Sequence, residues 1–345
     1  MKIIIAAVSA LLFVQSTFSQ KIDNEKLDST MLVADRIIST DNRAFFKNVE
    51  SVIVYSKGSI TFEKYYNGFN KDSLHQIQSQ TKSVVSLLMG IAIGKGFIKS
   101  ENVPVSEYFP EYFTKEDNLK SAITIRDLLT MSAGFEWEEM LTLNDPKNDN
   151  INMFRSNKWL SYAITRPMAK KPFTEFKYNS GLPMIVAGII ENATKMKLDE
   201  FAKKFLFEPL QIKEFQWLKD STGFCHAGGG LFLKPIDMMK IGIMVINNGK
   251  WEKRQIVSEN WIRKSTSSYL PTSFDISTYG YFWWIRERNT TGRKTTRVVT
   301  AEGAGGQKMY IFPEYQLIIA FTERNYTTPQ VSPMFIQESI LPLLK

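Results

Sequence analysis

One cysteine, Cys225, and two histidines, His75 and His226, are all that the 345 residues hold of the commonest thiol and imidazole groups. A lone cysteine leaves no internal disulfide, so the chain relies on its apolar core. Cys225 and His226 are sequence neighbours, but adjacent side chains on an extended segment point to opposite faces, and a buried small thiol is the expectation for Cys225. With so few histidines, a Ser-His-Asp hydrolase or a histidine-rich metal centre has few ligands to draw on, and no His-Glu-x-x-His string is present. Chemistry without a metal or cofactor is the simpler expectation. The formal charge is +8, yet the lysines and arginines are spread along the chain, with no basic run interleaved with aromatics, so a nucleic-acid partner is not indicated. No apolar run is long enough to span a bilayer, and stable membrane insertion is not expected.

What is present begins with an export signal. Lys2 gives a positive start, Ile3 to Val14 a short apolar core, and Thr17-Phe18-Ser19 a small-x-small cleavage site. Residues 1–20 therefore read as a signal peptide, and a secreted or periplasmic location is expected.

The stretch of greatest chemical interest runs from Gln76 to Gly96. Ser79 precedes Lys82 by three residues at the mouth of an apolar helical run, which puts both side chains on one face of the first turn. Burial and the positive end of the helix dipole both lower the proton affinity of an amine so placed. A serine beside such a lysine is an alternative to Ser-His-Asp nucleophilic catalysis, although the string also arises by chance as a capping serine and a solvated lysine.

Around this stretch, Val49 to Tyr55 and Ser59 to Tyr66 flank Ser56-Lys57-Gly58 and read as a hairpin. Helical patterns follow at Ile123–Met131, Ile151–Ile164, Gly181–Thr194, Leu198–Phe207 and Ile236–Ile246, with Thr124 and Ser258 as caps. Strand patterns return at Tyr281–Ile285, Arg297–Thr300, Gln307–Phe312 and Leu317–Phe321, and an amphipathic helix is expected from about Pro333 to Leu344. Strands at both ends with helices between predict an α+β chain, with one antiparallel sheet built from both termini and an inserted helical region. The expected catalytic unit covers 21–345, its sheet region about 21–103 and 236–345 and its helical region about 104–235.

The order of motifs resembles the serine β-lactamase-like superfamily, in the class C branch that includes esterases, D-amino-acid peptidases and 6-aminohexanoate-dimer hydrolases. It runs Ser79-x-x-Lys82, Ile125 to Gly134, Phe176-x-Tyr178, Ala227 to Leu231 leading to Asp237, Tyr279-Gly280-Tyr281-x-Trp283-Trp284, and Gly305-Gly306-Gln307. The resemblance implies the β-lactamase/transpeptidase-like fold, a five-stranded antiparallel sheet flanked by helices with an all-helical insertion. It implies Ser79 as the acylated nucleophile, Lys82 as the group that takes its proton, and Tyr178 as the phenol that passes a proton to the leaving group. Gly303 and Ala304 fall on the strand-edge turn, with the Ala304 and Ser79 N–H groups as the expected oxyanion donors. Two positions depart from the pattern. Ser180 stands where the family's Tyr-x-Asn element has asparagine, which puts a substrate-binding contact in doubt. Ala301-Glu302-Gly303 stands in place of Lys-Thr-Gly, so Ala301 cannot hold a carboxylate, and Glu302 is expected to add negative charge nearby.

The leading expectation is an exported serine hydrolase of a small ester, amide or short peptide. A penicillin-binding-like D-amino-acid carboxypeptidase or weak β-lactamase is the second reading, and a non-catalytic cell-wall ligand-binding protein of the same fold is the third. The sequence leaves the oligomeric state open.

Overall fold

The computed structural model describes residues 22–113, 118–142, 144–291 and 294–345. The signal-peptide reading of residues 1–20 lies outside the described residues. A sheet of eight strands runs in the order Ser59–Tyr65, Val49–Ser56, Leu317–Glu323, Gln307–Phe312, Thr295–Gly303, Trp284–Asn289, Ser277–Tyr279, Leu270–Pro271. Every neighbouring pair is antiparallel. The sheet is thus wider than the five strands implied by resemblance, because Trp284–Asn289 and two short strands continue it at one edge.

Val49–Ser56 and Leu317–Glu323 are buried at every position. Their near-continuous apolar runs suit strands covered on both faces. One face carries the Gln80–Gly94 and Pro235–Ile246 helices, and its core continues under the helical region through Leu87, Leu88, Leu128, Ile185 and Phe201. The other face packs a separate apolar cluster in which Leu27 and Met31 of the Asn24–Thr40 helix meet Phe312, Phe321, Ile340 and Leu344. Losing a buried leucine such as Leu88 to alanine typically costs about 2–5 kcal/mol, so these layers are where the fold's stability resides.

The Gln80–Gly94 helix is almost wholly buried and packs against Leu182–Thr194, Glu259–Ser265 and the Thr295–Gly303 strand. Close approach is possible because residue 90 is glycine: a Cβ there would lie 2.2 Å from a ring carbon of Trp261, whose indole N–H donates to the Ser86 carbonyl at 3.0 Å. The Thr124 cap is present and forms a capping box with Asp127, and Ser258 accepts from the Trp261 amide.

Several boundaries differ from the sequence patterns. Ile151–Ile164 is two helices, Asp149–Ser156 and Trp159–Ile164, because Asn157 takes the left-handed conformation (φ 51°) that asparagine tolerates. The strand expected at Tyr281 starts at Trp284, since Phe282 turns at φ 60° and gives its N–H to the Leu129 carbonyl. The final helix begins at Val331 and loosens into wider turns over Ile336–Ile340 and then a tighter one over Leu341–Leu343, with Pro342 in its first turn, where a missing N–H costs nothing. Cys225 is buried, and burial pushes its thiol up to about 12. No described helix is long and apolar enough to cross a membrane.

Candidate active site

The Gln76–Ser79 segment is held before it enters the helix. His75–Gln76 pairs with Leu231–Leu233, and the Ile77 amide donates to the Leu231 carbonyl at 3.0 Å. Gln78 then takes a left-handed turn (φ 50°), an uncommon conformation for a side chain of its size. Ser79 occupies the helix cap position, but its hydroxyl makes no capping hydrogen bond. Instead it accepts from Lys82 Nζ at 2.8 Å, while the same ammonium donates to the Gly228 carbonyl at 2.6 Å. Lys82 is 1% exposed. Burial lowers its pKa from 10.5 to about 8, and the opposing charge of Glu139 holds it from falling further.

Tyr178 closes the other side. Its ring is half-buried, stacks on Trp284 with centroids 5.9 Å apart, and has Lys82 Nζ 5.0 Å from its centre. Burial and then Glu139 raise the phenol's pKa, opposed by a hydrogen bond with Ser79, so Tyr178 keeps its proton near neutrality. Phe274 meets Tyr178 and Trp284 edge-on and extends an aromatic wall along the cleft.

Ser180 also reaches the cleft, but its polar groups are engaged. Its amide and hydroxyl donate to the two carboxylate oxygens of Glu139 at 2.6 and 2.9 Å, and Trp137 Nε1 donates to the same carboxylate at 2.6 Å. Asn179 turns away to accept from the Gly181 amide at 2.7 Å. Glu139 was not singled out by the sequence; the signal available was Trp137-Glu138-Glu139 in a loop that no motif folds.

The turn at 303–306 lies opposite. A Cβ on Gly303 would come within 2.5 Å of the Ile77 carbonyl oxygen and 2.8 Å of Gln78 Cβ, so only glycine lets this strand end abut the segment that presents Ser79. Among the described residues, neither the Ser79 nor the Ala304 N–H donates to another group. Both residues line a cleft of about 520 Å³ with Glu139, Tyr178, Trp284 and Arg286.

Strand alternation sends Ala301 into the core, 2% exposed, and Glu302 toward the cleft. The negative charge expected at Glu302 is present but paired. Arg286 and Lys308 on the neighbouring strands both bind its carboxylate, and Asp275 takes the other side of Arg286 at 2.9 Å. Burial raises the Glu302 pKa, but the charges and hydrogen bonds of Lys308 and Arg286 outweigh it, and the net shift is downward. Sequence spacing gave no sign of this, because the three groups come from three strands.

His226 lines a side cavity of about 190 Å³ that shares Ser79 and Ser180 with the cleft. Burial, and then Lys82, push its pKa down to about 4, so the ring is neutral in ordinary buffers. No group of three or more metal-ligating side chains occurs among the described residues.

The chain and its fold have counterparts among known proteins. The family model for beta-lactamase matches residues 45–337. A 6-aminohexanoate-dimer hydrolase of Paenarthrobacter ureafaciens is 23% identical over 307 residues, which cover 83% of this chain and 75% of that one. Among solved structures, the octameric penicillin-binding protein homologue from Pyrococcus abyssi matches with a TM-score of 0.66 at 20% identity, over 91% of this chain and 76% of its own. EstCE1, a hydrolase with promiscuous acyltransferase activity, matches with a TM-score of 0.75 at 12% identity, over 91% and 99%. At these identities the structures speak for the fold.

Proposed function

The chain belongs to the beta-lactamase family of hydrolases, and from that premise we propose that it is an exported serine hydrolase that forms an acyl-enzyme on Ser79 and cleaves a small ester, amide or short peptide. The observation that carries the proposal is the 2.8 Å contact between Ser79 Oγ and a lysine buried enough to lose its proton near neutral pH. In its neutral form Lys82 accepts the Ser79 proton as Oγ bonds to the substrate carbonyl carbon. The carbonyl oxygen takes the electron pair and rests on the Ser79 and Ala304 N–H groups, where each donor is worth about 3 kcal/mol. Tyr178 lies beside both Ser79 and Lys82. It gives its proton to the leaving alcohol or amine as that bond breaks and is reprotonated from Lys82. Water then attacks the ester on Ser79 and loses a proton by the same route, releasing the acid and restoring the serine. Export rests on the N-terminal sequence alone.

A second reading, cleavage of a D-amino-acid peptide with a free carboxylate, would place that carboxylate against Arg286 and Lys308 in the cleft wall, in competition with Glu302 and Asp275, which already hold these cations. Mature protein and its S79A variant, offered p-nitrophenyl esters, nitrocefin and short D-amino-acid peptides, test both. We expect S79A to lose at least about a thousandfold in kcat on whichever substrate is turned over, and a serine-directed phosphonate to add one label, on Ser79. Equal turnover by both proteins, or a label elsewhere, would sink the mechanism.

A further inference from the structure

We propose that Glu139 is a positioning residue that sets the proton balance of the Ser79–Lys82–Tyr178 group while locking Ser180 in place. The inference rests on the serine-hydrolase reading above. Two adjacent acids follow Trp137 in the loop, and the structure sends them opposite ways. Glu138 turns outward and pairs with Lys177 at 2.6 Å on the exposed rim. Glu139 turns inward, lines the cleft, and is held by three neutral donors, Trp137 Nε1, the Ser180 amide and the Ser180 hydroxyl.

Among the described residues Glu139 has no ion-pair partner within 4.0 Å, whereas Glu302 and Asp275 across the cleft are each bound by cations. Its negative charge is therefore left to act on what it faces. The groups facing Lys82 are Ser79 on its own helix, Tyr178 from the segment before the Leu182–Thr194 helix, the Gly228 carbonyl and His226 from the glycine-rich loop, and Glu139. His226 is neutral and Tyr178 protonated; Glu139 is the carboxylate that acts on Lys82, while Glu302, which also acts on Tyr178, is paired with Arg286 and Lys308.

The chemistry needs Lys82 to take a proton from Ser79 and later give it back, and a group does both best when its pKa lies near the working pH. Burial lowers the proton affinity of Lys82, and one nearby carboxylate opposes that. The same carboxylate fixes Ser180 by two hydrogen bonds, and through it the backbone two residues beyond Tyr178.

The test is the pH profile of kcat/KM on an ester turned over by the protein, for wild type, E139Q, E139D and E138Q. In E139Q the acid limb moves to lower pH by about one unit, and the plateau falls about tenfold through the weaker base and the loosened Ser180. E139D keeps its limb at the wild-type pH with a partial rate, and E138Q matches wild type throughout. An E139Q limb at the wild-type pH, or an equal displacement in E138Q, overturns the inference. Should E139Q lack the wild-type circular dichroism, E139D decides alone, and a limb moved to lower pH despite the retained charge overturns it. Turnover that survives in S79A would remove the serine-hydrolase reading itself; an unmoved E139Q limb in a Ser79-dependent enzyme removes only the role of Glu139.

Discussion

Lys82 sits where a charge is costly. Its pKa is about 8 in the folded chain against 10.5 when solvated. Below pH 8 the folded state must hold a buried ammonium; between about 8 and 10.5 the unfolded chain binds the extra proton, so stability rises with pH across that window. Replacing Lys82 by methionine should therefore stabilise the fold at pH 7, by about 1–3 kcal/mol, with the advantage shrinking toward pH 10. Thermal melts of both proteins at the two pH values would check the sign, and a K82M variant less stable than wild type at pH 7 would refute it. The same titration predicts that wild-type kcat/KM rises with pH through about 8, since the neutral amine is the active form. At this scale the sequence was informative wherever residues act at fixed spacing: Ser79 and Lys82 share a helical turn. Glu139 and the Arg286–Glu302–Lys308 group were not legible, because each is defined by side chains from separate segments.

The elements that carry these residues meet through small contacts. The Thr295–Gly303 strand ends against the Ile77–Gln78 backbone, and the 2.5 Å clearance at Gly303 admits no side chain. In G303A the strand end must move away, taking the Ala304 amide with it. We expect kcat to fall by about 10²–10³, as for loss of one oxyanion donor, with a stability cost of about 1–3 kcal/mol. Steady-state kinetics and urea unfolding measure the two effects separately, and an unchanged kcat would mean that Ala304 is not a donor. Helix and strand types were readable because the Leu182–Thr194 and Pro235–Ile246 runs are mostly apolar and the C-terminal strands are β-branched and aromatic. Boundaries were not, since Asn157 and Phe282 break their elements through backbone angles that periodicity does not encode.

Over the whole molecule, one buried carboxylate joins distant parts. Glu323, at the end of the last strand, accepts from the Val331 and Ser332 amides at 2.9 and 2.8 Å and from Asn325 Nδ2 at 2.7 Å, which fastens the start of the final helix. Its side chain also abuts Gly306, where a Cβ would lie 2.7 Å from the carboxyl carbon, and the Asn325 amide holds the Gly305 carbonyl at 2.8 Å. In E323A those donors lose their acceptor, at a cost of about 3 kcal/mol. We expect ester turnover in this variant to disappear several degrees below its melting temperature, a wider gap than in wild type; coincident transitions in E323A would refute the coupling. That antiparallel strands from both ends of the chain share one sheet was apparent from their pattern, but this link was not, as nothing in the spacing of Gly306, Glu323 and Val331 announces a contact.

The clamp at Glu323 also bears on how the molecule fails. Because the last helix and the turn beside Ser79 hang on the same carboxylate, their amides form one unit of local opening, and hydrogen exchange at Gly305–Gln307 and at Val331–Ser332 should report a single opening free energy below the global one. A chain frayed or nicked at its C-terminal end would then fall silent while its core is still folded, so that damage there registers first as lost turnover and only later as lost structure.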